Sequence, residues 1–350
     1  MNYSDTPIIK LKPLLKNKGI STTGLTKTNI IDILTRMHKY PNIRNKIKLG
    51  LCCINTELRK LKIFCSRSCI QKNFTIQKAQ DLALQNVKDI CKLIEYNHKN
   101  NITCLRLSSD MFPHYTNPKV EEYTLDFAKP ELIKAGKLIK KYNHRVLFHP
   151  AQFCQVGTPK PEVLKKTIRE LKFHADILDI MDVDNNGVLI VHGGGIFNDK
   201  SATIERWISQ FKLLPQNVKN RLCIEHCEYC YNVDDVMLIS QGCNIPVVFD
   251  THHYSCYNIQ NPEIKVSTPK NIIPKIIKTW KNRIPVFHIS EQGNGRLGHH
   301  SDYIETIPDY LLEYLNNTSE DFYINLEVEA KMKEQAIFKL YKKYPDIFTV

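Results

Sequence analysis

Two periods alternate along most of this chain. Short runs dense in β-branched and aromatic residues are separated by longer stretches in which apolar residues recur every three or four positions. A short apolar run bounded by turn residues reads as a strand buried on both faces, and the longer period reads as an amphipathic helix. The strand-like runs are IKLGLCCIN, ITCLRLSS, RVLFHP, GVLIVHGG, RLCIEHC, IPVVFDTHH, IPVFHIS and DFYINLEVEA. Helical patterns such as TIQKAQDLALQNVKDICKLIEYNHK and KPEVLKKTIRELKFHADILDIM fill the gaps. Eight strand-then-helix units are the count of a (β/α)8 TIM barrel, an α/β fold. A doubly wound open sheet is the alternative, but no Gly-x-Gly-x-x-Gly follows the first strand.

Ahead of the first strand the pattern changes. Leu11, Leu14 and Leu15 form one helical stripe, Gly19 stands where a C-cap belongs, and Ile30, Ile31, Leu34 and Met37 form a second stripe. This predicts a small helical module over residues 1–44 followed by the barrel over residues 45–350.

Composition adds bounds. With 350 residues, a net charge of +13 and 42% hydrophobic residues, the chain can bury one large core and carry an accessory unit. No run approaches the roughly 18 apolar residues of a membrane helix, and MNYSDTPIIKLKP lacks the apolar centre of a signal peptide, so an intracellular location without membrane attachment is expected. Twelve cysteines in a long intracellular chain are expected to be reduced thiols, and CEYC at Cys227–Cys230 lacks the second pair of a zinc site. The charge is concentrated: residues 1–50 hold ten Lys and Arg against Asp5 and Asp32, which places 10 − 2 = +8 in the first seventh of the chain. Such a cluster suggests a polyanion partner, nucleic acid before membrane.

The candidate chemistry lies at the ends of the strand runs. The third ends at His149, the fourth at His192, the fifth at Glu225, the sixth at Asp250 with His252 and His253 following, the seventh at His288 and the eighth at Glu329. In a barrel every C-terminal strand end opens onto one face, so these side chains converge. Burying so many imidazoles and carboxylates without compensation costs several kcal/mol apiece, on the order of what divalent ions can offset. The mixed His and carboxylate set suits Zn²⁺, Mn²⁺ or Fe²⁺ better than Ca²⁺ or Mg²⁺, and offers more ligands than one tetrahedral ion uses. At least two ions are therefore expected, with Glu225 as a bridge. Close divalent ions on a basic protein point to phosphodiester hydrolysis, in which they activate water and stabilise the leaving oxygen. A two-metal barrel sugar isomerase or epimerase is the rival, though it has no need of a basic N-terminus.

Two resemblances sharpen the picture. LKPLLKNKGISTTGLTKTNIIDIL resembles the SAP motif, a DNA-binding helical hairpin, in its leucine pair, its Lys18-Gly19-Ile20 turn, Gly24 and its second helix. LRLSSDMFPH, FHPAQF, FDTHH, HHSDYI and EVEAKMKEQA, in that order over roughly residues 46–345, resemble the UV damage endonuclease family. Endonuclease IV, which cuts at abasic sites, shares the metal logic without these strings and is the second alternative. The resemblance implies a monomeric repair enzyme that binds damaged double-stranded DNA, extrudes the lesion and cuts the phosphodiester immediately 5′ to a UV photoproduct. It implies two or three divalent ions, Mn²⁺ ahead of Zn²⁺ or Mg²⁺, on His149, His192, Glu225, Asp250, His253, His288, His300 and Glu329. Glu225 and Glu329 would be catalytic, with His114 beside the reacting phosphate and Gln152 and Phe153 filling the gap left by the lesion. Two positions depart from the family: Val286 stands where it carries a carboxylated lysine ligand, and Leu51 stands where an aromatic approaches the lesion. His174 reads as a packed helix residue, Gly193–Gly195 as either a phosphate cradle or a tight turn, and Arg106 and Lys331 as weak candidates for contact with the DNA backbone.

Overall fold

The computed structural model describes residues 3–318 and 322–348. Eight parallel strands close into a barrel in sequence order: β1 (Ile47–Cys52), β2 (Cys104–Leu107), β3 (Arg145–Phe148), β4 (Leu189–His192), β5 (Leu222–Glu225), β6 (Val247–Asp250), β7 (Val286–Ile289) and β8 (Ile324–Val328). Each lies within one of the eight apolar runs, and closure rules out the open sheet. The registers Ile47↔Ile324 and Gly50↔Glu327 seal β1 against β8. Side chains alternate along each strand, so one set enters the barrel and the other meets the surrounding helices. Long helices such as Ile76–Lys99 and Pro161–Ile180 fall where the three-to-four period placed them and bury Ala83, Val87, Ile90 and Ile94, or Leu171, Ile177 and Leu178. His174 on the second of these is fully buried between Phe148 and Phe173, with Nδ1 donating to the Glu170 carbonyl at 2.8 Å, a packed residue as expected.

The chain before the barrel forms two helices, α1 (Ile8–Lys16) and α2 (Lys27–Lys39). Thr26 caps α2 by accepting from the Asn29 amide, and Asn29 returns the bond to the Thr26 amide. Leu11, Leu15, Ile20, Ile30, Ile33 and Leu34 make a core separate from that of the barrel. On α1 the buried row is Leu11 and Leu15. Leu14, expected in that row, is 43% exposed, whereas Ile33 of α2, outside the expected second stripe, is buried. Tyr40 and Ile43 already belong to the barrel core. Arg36 docks the pair: its guanidinium spans both oxygens of Asp346 and lies 4.3 Å over the Tyr344 ring.

Candidate metal centre

The C-terminal face of the barrel gathers the strand-end residues into one cluster. β5 delivers Glu225, with no exposed surface, to its middle. One carboxylate oxygen, Oε2, lies 2.9 Å from His149 Nε2 and 3.9 Å from His192 Nε2; the other, Oε1, lies 2.9 Å from His288 Nδ1 and 3.2 Å from His253 Nδ1. Four imidazoles from four loops and strands thus surround one carboxylate. Register explains the convergence: His192 pairs with Glu225 and Asp250 with His288 across neighbouring strands. His149 and Glu329 stand one residue beyond β3 and β8, where the chain turns over the barrel mouth.

Asp250 is placed by its own helix. Its Oδ1 caps the helix Thr251–Gln260 by accepting from the His252 and His253 amides at 2.6 and 2.7 Å, while Oδ2 is buried and takes no hydrogen bond among the described residues. The buried His226 ring supports the same residue by accepting the Asp250 amide at Nε2, 3.0 Å away. Glu329 pairs with the buried Arg106 guanidinium and lies 3.4 Å from His288 Nδ1. His300 stands at the margin, with Nδ1 3.8 Å from Glu329 and its side chain partly open to solvent.

Electrostatics holds the Glu225 and Glu329 carboxylates ionised and His192 neutral. Burial opposes charge on His253 and His288, but Asp250 and Glu225 beside the first, and Glu225 and Glu329 beside the second, overcome it. Both imidazoles are raised well above the usual range, so a cation there would replace their protons. Burial raises the Glu225 carboxyl, but His288 and His192 beside it overcome that effect and hold it well below the usual carboxylate range. Burial likewise opposes ionisation of Glu329, and Arg106 and His288 more than reverse it. Burial lowers His192 to about 3, which leaves a neutral imidazole with a free lone pair. Three sets of donors each lie within 4.8 Å of one another: His149, His192 and Glu225; Glu225, Asp250 and His253; Asp250, His288 and Glu329. Glu225 and Asp250 each occur in two sets, as bridging carboxylates would. Orphaned buried atoms such as Asp250 Oδ2 and His192 Nδ1 fit a site completed by cations.

Other expected residues lie elsewhere. His114 is engaged outside the three donor sets: Nε2 lies 2.7 Å from the Cys69 carbonyl oxygen and Nδ1 lies 3.2 Å from Asn117 Nδ2. Gln152 and Phe153 stand out on the loop after β3, where Phe153 is 75% exposed. Gln152 borders a cleft of about 410 Å³ that opens beside His192 and is also lined by Gln155, Tyr229, Arg296 and His299. Leu51 is fully buried in the barrel wall and is not presented to solvent. Gly193 needs its missing side chain for packing, since a Cβ would meet the Tyr231 ring at 2.6 Å. Among the described residues Cys227 and Cys230 join none of the three donor sets.

Four participants escaped the strand-end pattern. Arg106 and Glu327 sit one layer deeper in the barrel, His226 backs Asp250, and Glu228 lies 3.7 Å from His253 Nε2. Alternation in NLEVE carries a signal for Glu327, which shares the face of Glu329. Nothing in the sequence marks the other three.

Comparison with known proteins bears on this geometry. The sequence model of a family described as UV-endonuclease UvdE matches residues 47–350. A protein of Acanthamoeba polyphaga mimivirus is 36% identical over 316 residues, covering 87% of this chain and 94% of its own length. The UV-damage endonuclease of Schizosaccharomyces pombe is 36% identical over 315 residues, or 85% of this chain, which spans 50% of the yeast protein. The crystal structure of SacUVDE superposes with a TM-score of 0.75 at 27% identity, covering 86% of this chain and 98% of that one. Endonuclease IV from Thermus thermophilus, at 11% identity and a TM-score of 0.51, shares the fold alone.

Proposed function

Because this chain belongs to the UV-endonuclease UvdE family, we propose that it is a DNA repair endonuclease that nicks the phosphodiester 5′ to UV photoproducts. The observation that carries the reading is the Glu225 carboxylate ringed by four imidazoles at the open face of the barrel. Divalent ions held there, Mn²⁺ first among them, supply Lewis acidity for phosphodiester hydrolysis. His149, His192, Glu225, Asp250, His253, His288 and Glu329 would hold them, with His300 at the edge. Asp250 is fixed by its capping bonds and Glu329 by Arg106, so neither carboxylate has to reorganise when phosphate arrives.

Gln152 and Phe153 are suited to the space left by an extruded lesion, because an exposed ring on a loop beside the cleft can stack on an unpaired base. His114 would reach the phosphate only after leaving the Cys69 carbonyl, a rearrangement that DNA binding has to drive. The helix pair α1 and α2 presents Lys10, Lys16 and Lys18 to solvent and acts in this reading as a SAP-like DNA tether. The enzyme works inside the cell, as a monomer on duplex DNA. No helix among the described residues is long and apolar enough to cross a membrane.

The test is a nicking assay with three end-labelled duplexes: one with a defined cyclobutane dimer, one with an abasic site, one undamaged. Mn²⁺-dependent incision 5′ to the dimer, with the undamaged duplex intact, is the expected result. Cutting of the abasic duplex alone would move the enzyme to the endonuclease IV type.

A further inference from the structure

Beneath the ligand cluster lies a carboxylate that the hydrolytic reading does not use. Glu327 on β8 is fully buried inside the barrel, one layer below Glu329. Its Oε2 lies 3.2 Å from His288 Nε2 and 3.8 Å from Arg106 Nη1, and takes no well-aligned hydrogen bond. His288 Nε2 is in the same position: buried, facing Oε2, with no other hydrogen-bond partner among the described residues. The opposite edge of the ring faces the centre, with Nδ1 2.9 Å from Glu225 and 3.4 Å from Glu329. The barrel makes room for this carboxylate at some expense. A Cβ at Gly50 would stand 3.3 Å from Glu327 Cγ and 3.2 Å from the Cys104 Cβ, so β1 carries no side chain where Glu327 lies.

Apolar side chains fill barrel interiors well, and a buried carboxylate in this layer destabilises the fold unless it serves another group. We propose that Glu327 is the positioning residue for His288: it accepts the Nε2 proton, fixes the ring so that Nδ1 points at the ions, and raises the basicity of Nδ1. A carboxylate behind a metal-bound imidazole has this effect in general, and its loss weakens metal binding about 10- to 100-fold. Glu327 itself falls in none of the three donor sets, which separates it from the ligands. The inference rests on the reading of the cluster as a metal centre.

Its test uses the whole chain and two variants, Glu327→Gln and Glu327→Met, with two readouts: Mn²⁺ affinity by competition with a fluorescent chelator, and the melting temperature of the metal-free protein. Glu327→Met should bind its tightest Mn²⁺ about 10- to 100-fold more weakly. Glu327→Gln, which keeps an acceptor oxygen but loses the charge, should fall between it and the parent. The metal-free Glu327→Met protein should melt no lower than the parent, since a buried charge has been removed. A merely structural role predicts the reverse, a lower metal-free melting temperature with unaltered affinity. Mn²⁺ affinities of both variants within twofold of the parent overturn the proposal, and if Glu327→Met does not fold, Glu327→Gln alone decides it. A parent protein that takes up no Mn²⁺ defeats the metal-centre reading itself and this inference with it.

Discussion

Charge is handled in opposite ways at the two ends of this molecule. At and just below the barrel mouth Glu225, Asp250, His288 and Glu327 are fully buried, whereas the N-terminal helix pair holds Lys10, Lys16 and Lys18 in water around a core of six apolar residues. In the low-dielectric interior each charge needs a partner within a few ångströms, and removing one leaves the others uncompensated. Exposed charges are individually weak, are screened by salt, and act through their sum. Changes at the barrel mouth should therefore be severe and specific, and changes in the helix pair graded and dependent on ionic strength.

The largest effect should come from Glu225→Gln, which keeps the volume of the side chain while removing the charge that four imidazoles share. Incision of a dimer-containing duplex should be lost, with affinity for the same duplex kept within about tenfold, because phosphate contacts supply much of that affinity. Glu329→Gln should behave alike and also leave Arg106 with only its longer ion pair to Glu327. Incision near the parent rate in both would dissolve the contrast between the two regions. Phe153→Ala comes next. Losing a stack worth about 1–3 kcal/mol should reduce the preference for damaged over intact duplex by about 5- to 150-fold, while Phe153→Tyr stays close to the parent. Competition binding with damaged and intact oligonucleotides measures it.

These contrasts bear on how far the sequence could be read. All eight strands were visible because a parallel barrel wall is apolar on both faces, and the pattern was strong enough to place Glu225, Asp250 and His192 at strand ends. The depth of the cluster was not visible. Arg106 and Glu327 act from the interior layer, and their meaning depends on a cross-strand register that joins residues more than two hundred positions apart. His114 was legible only through its surrounding string, and no pattern in the sequence foretold its contact with the Cys69 carbonyl. In the helix pair, periodicity over so few turns fixes the buried face only coarsely: Leu14 falls outside it and Ile33 inside it.

A smaller effect should follow removal of the helix pair. Truncation just before Tyr40 keeps the barrel core intact and leaves Asp346 to be solvated, so the remaining chain should fold and nick short damaged duplexes. Affinity for long undamaged DNA should fall, and the slope of its logarithm against that of salt concentration should flatten by about one for each lost phosphate contact. An unchanged slope would show that the lysines of α1 are solvated without a partner. His300→Ala should do least. Its side chain stands at the margin of the cluster, and Val286, fully buried in β7, offers no ligand atom to strengthen a third ion there. Two firmly held ions should remain in this variant by elemental analysis.

If the barrel mouth is a metal centre organised around Glu225, the metal it retains must depend on that carboxylate. The most direct measurement is the metal content of the parent protein and of Glu225→Gln after chelation, reloading with Mn²⁺ and exhaustive dialysis. About two manganese ions per chain are expected in the parent, shared between carboxylate and imidazole ligands, and fewer than about one in the variant. No manganese in the parent, or equal amounts in the two proteins, would contradict it.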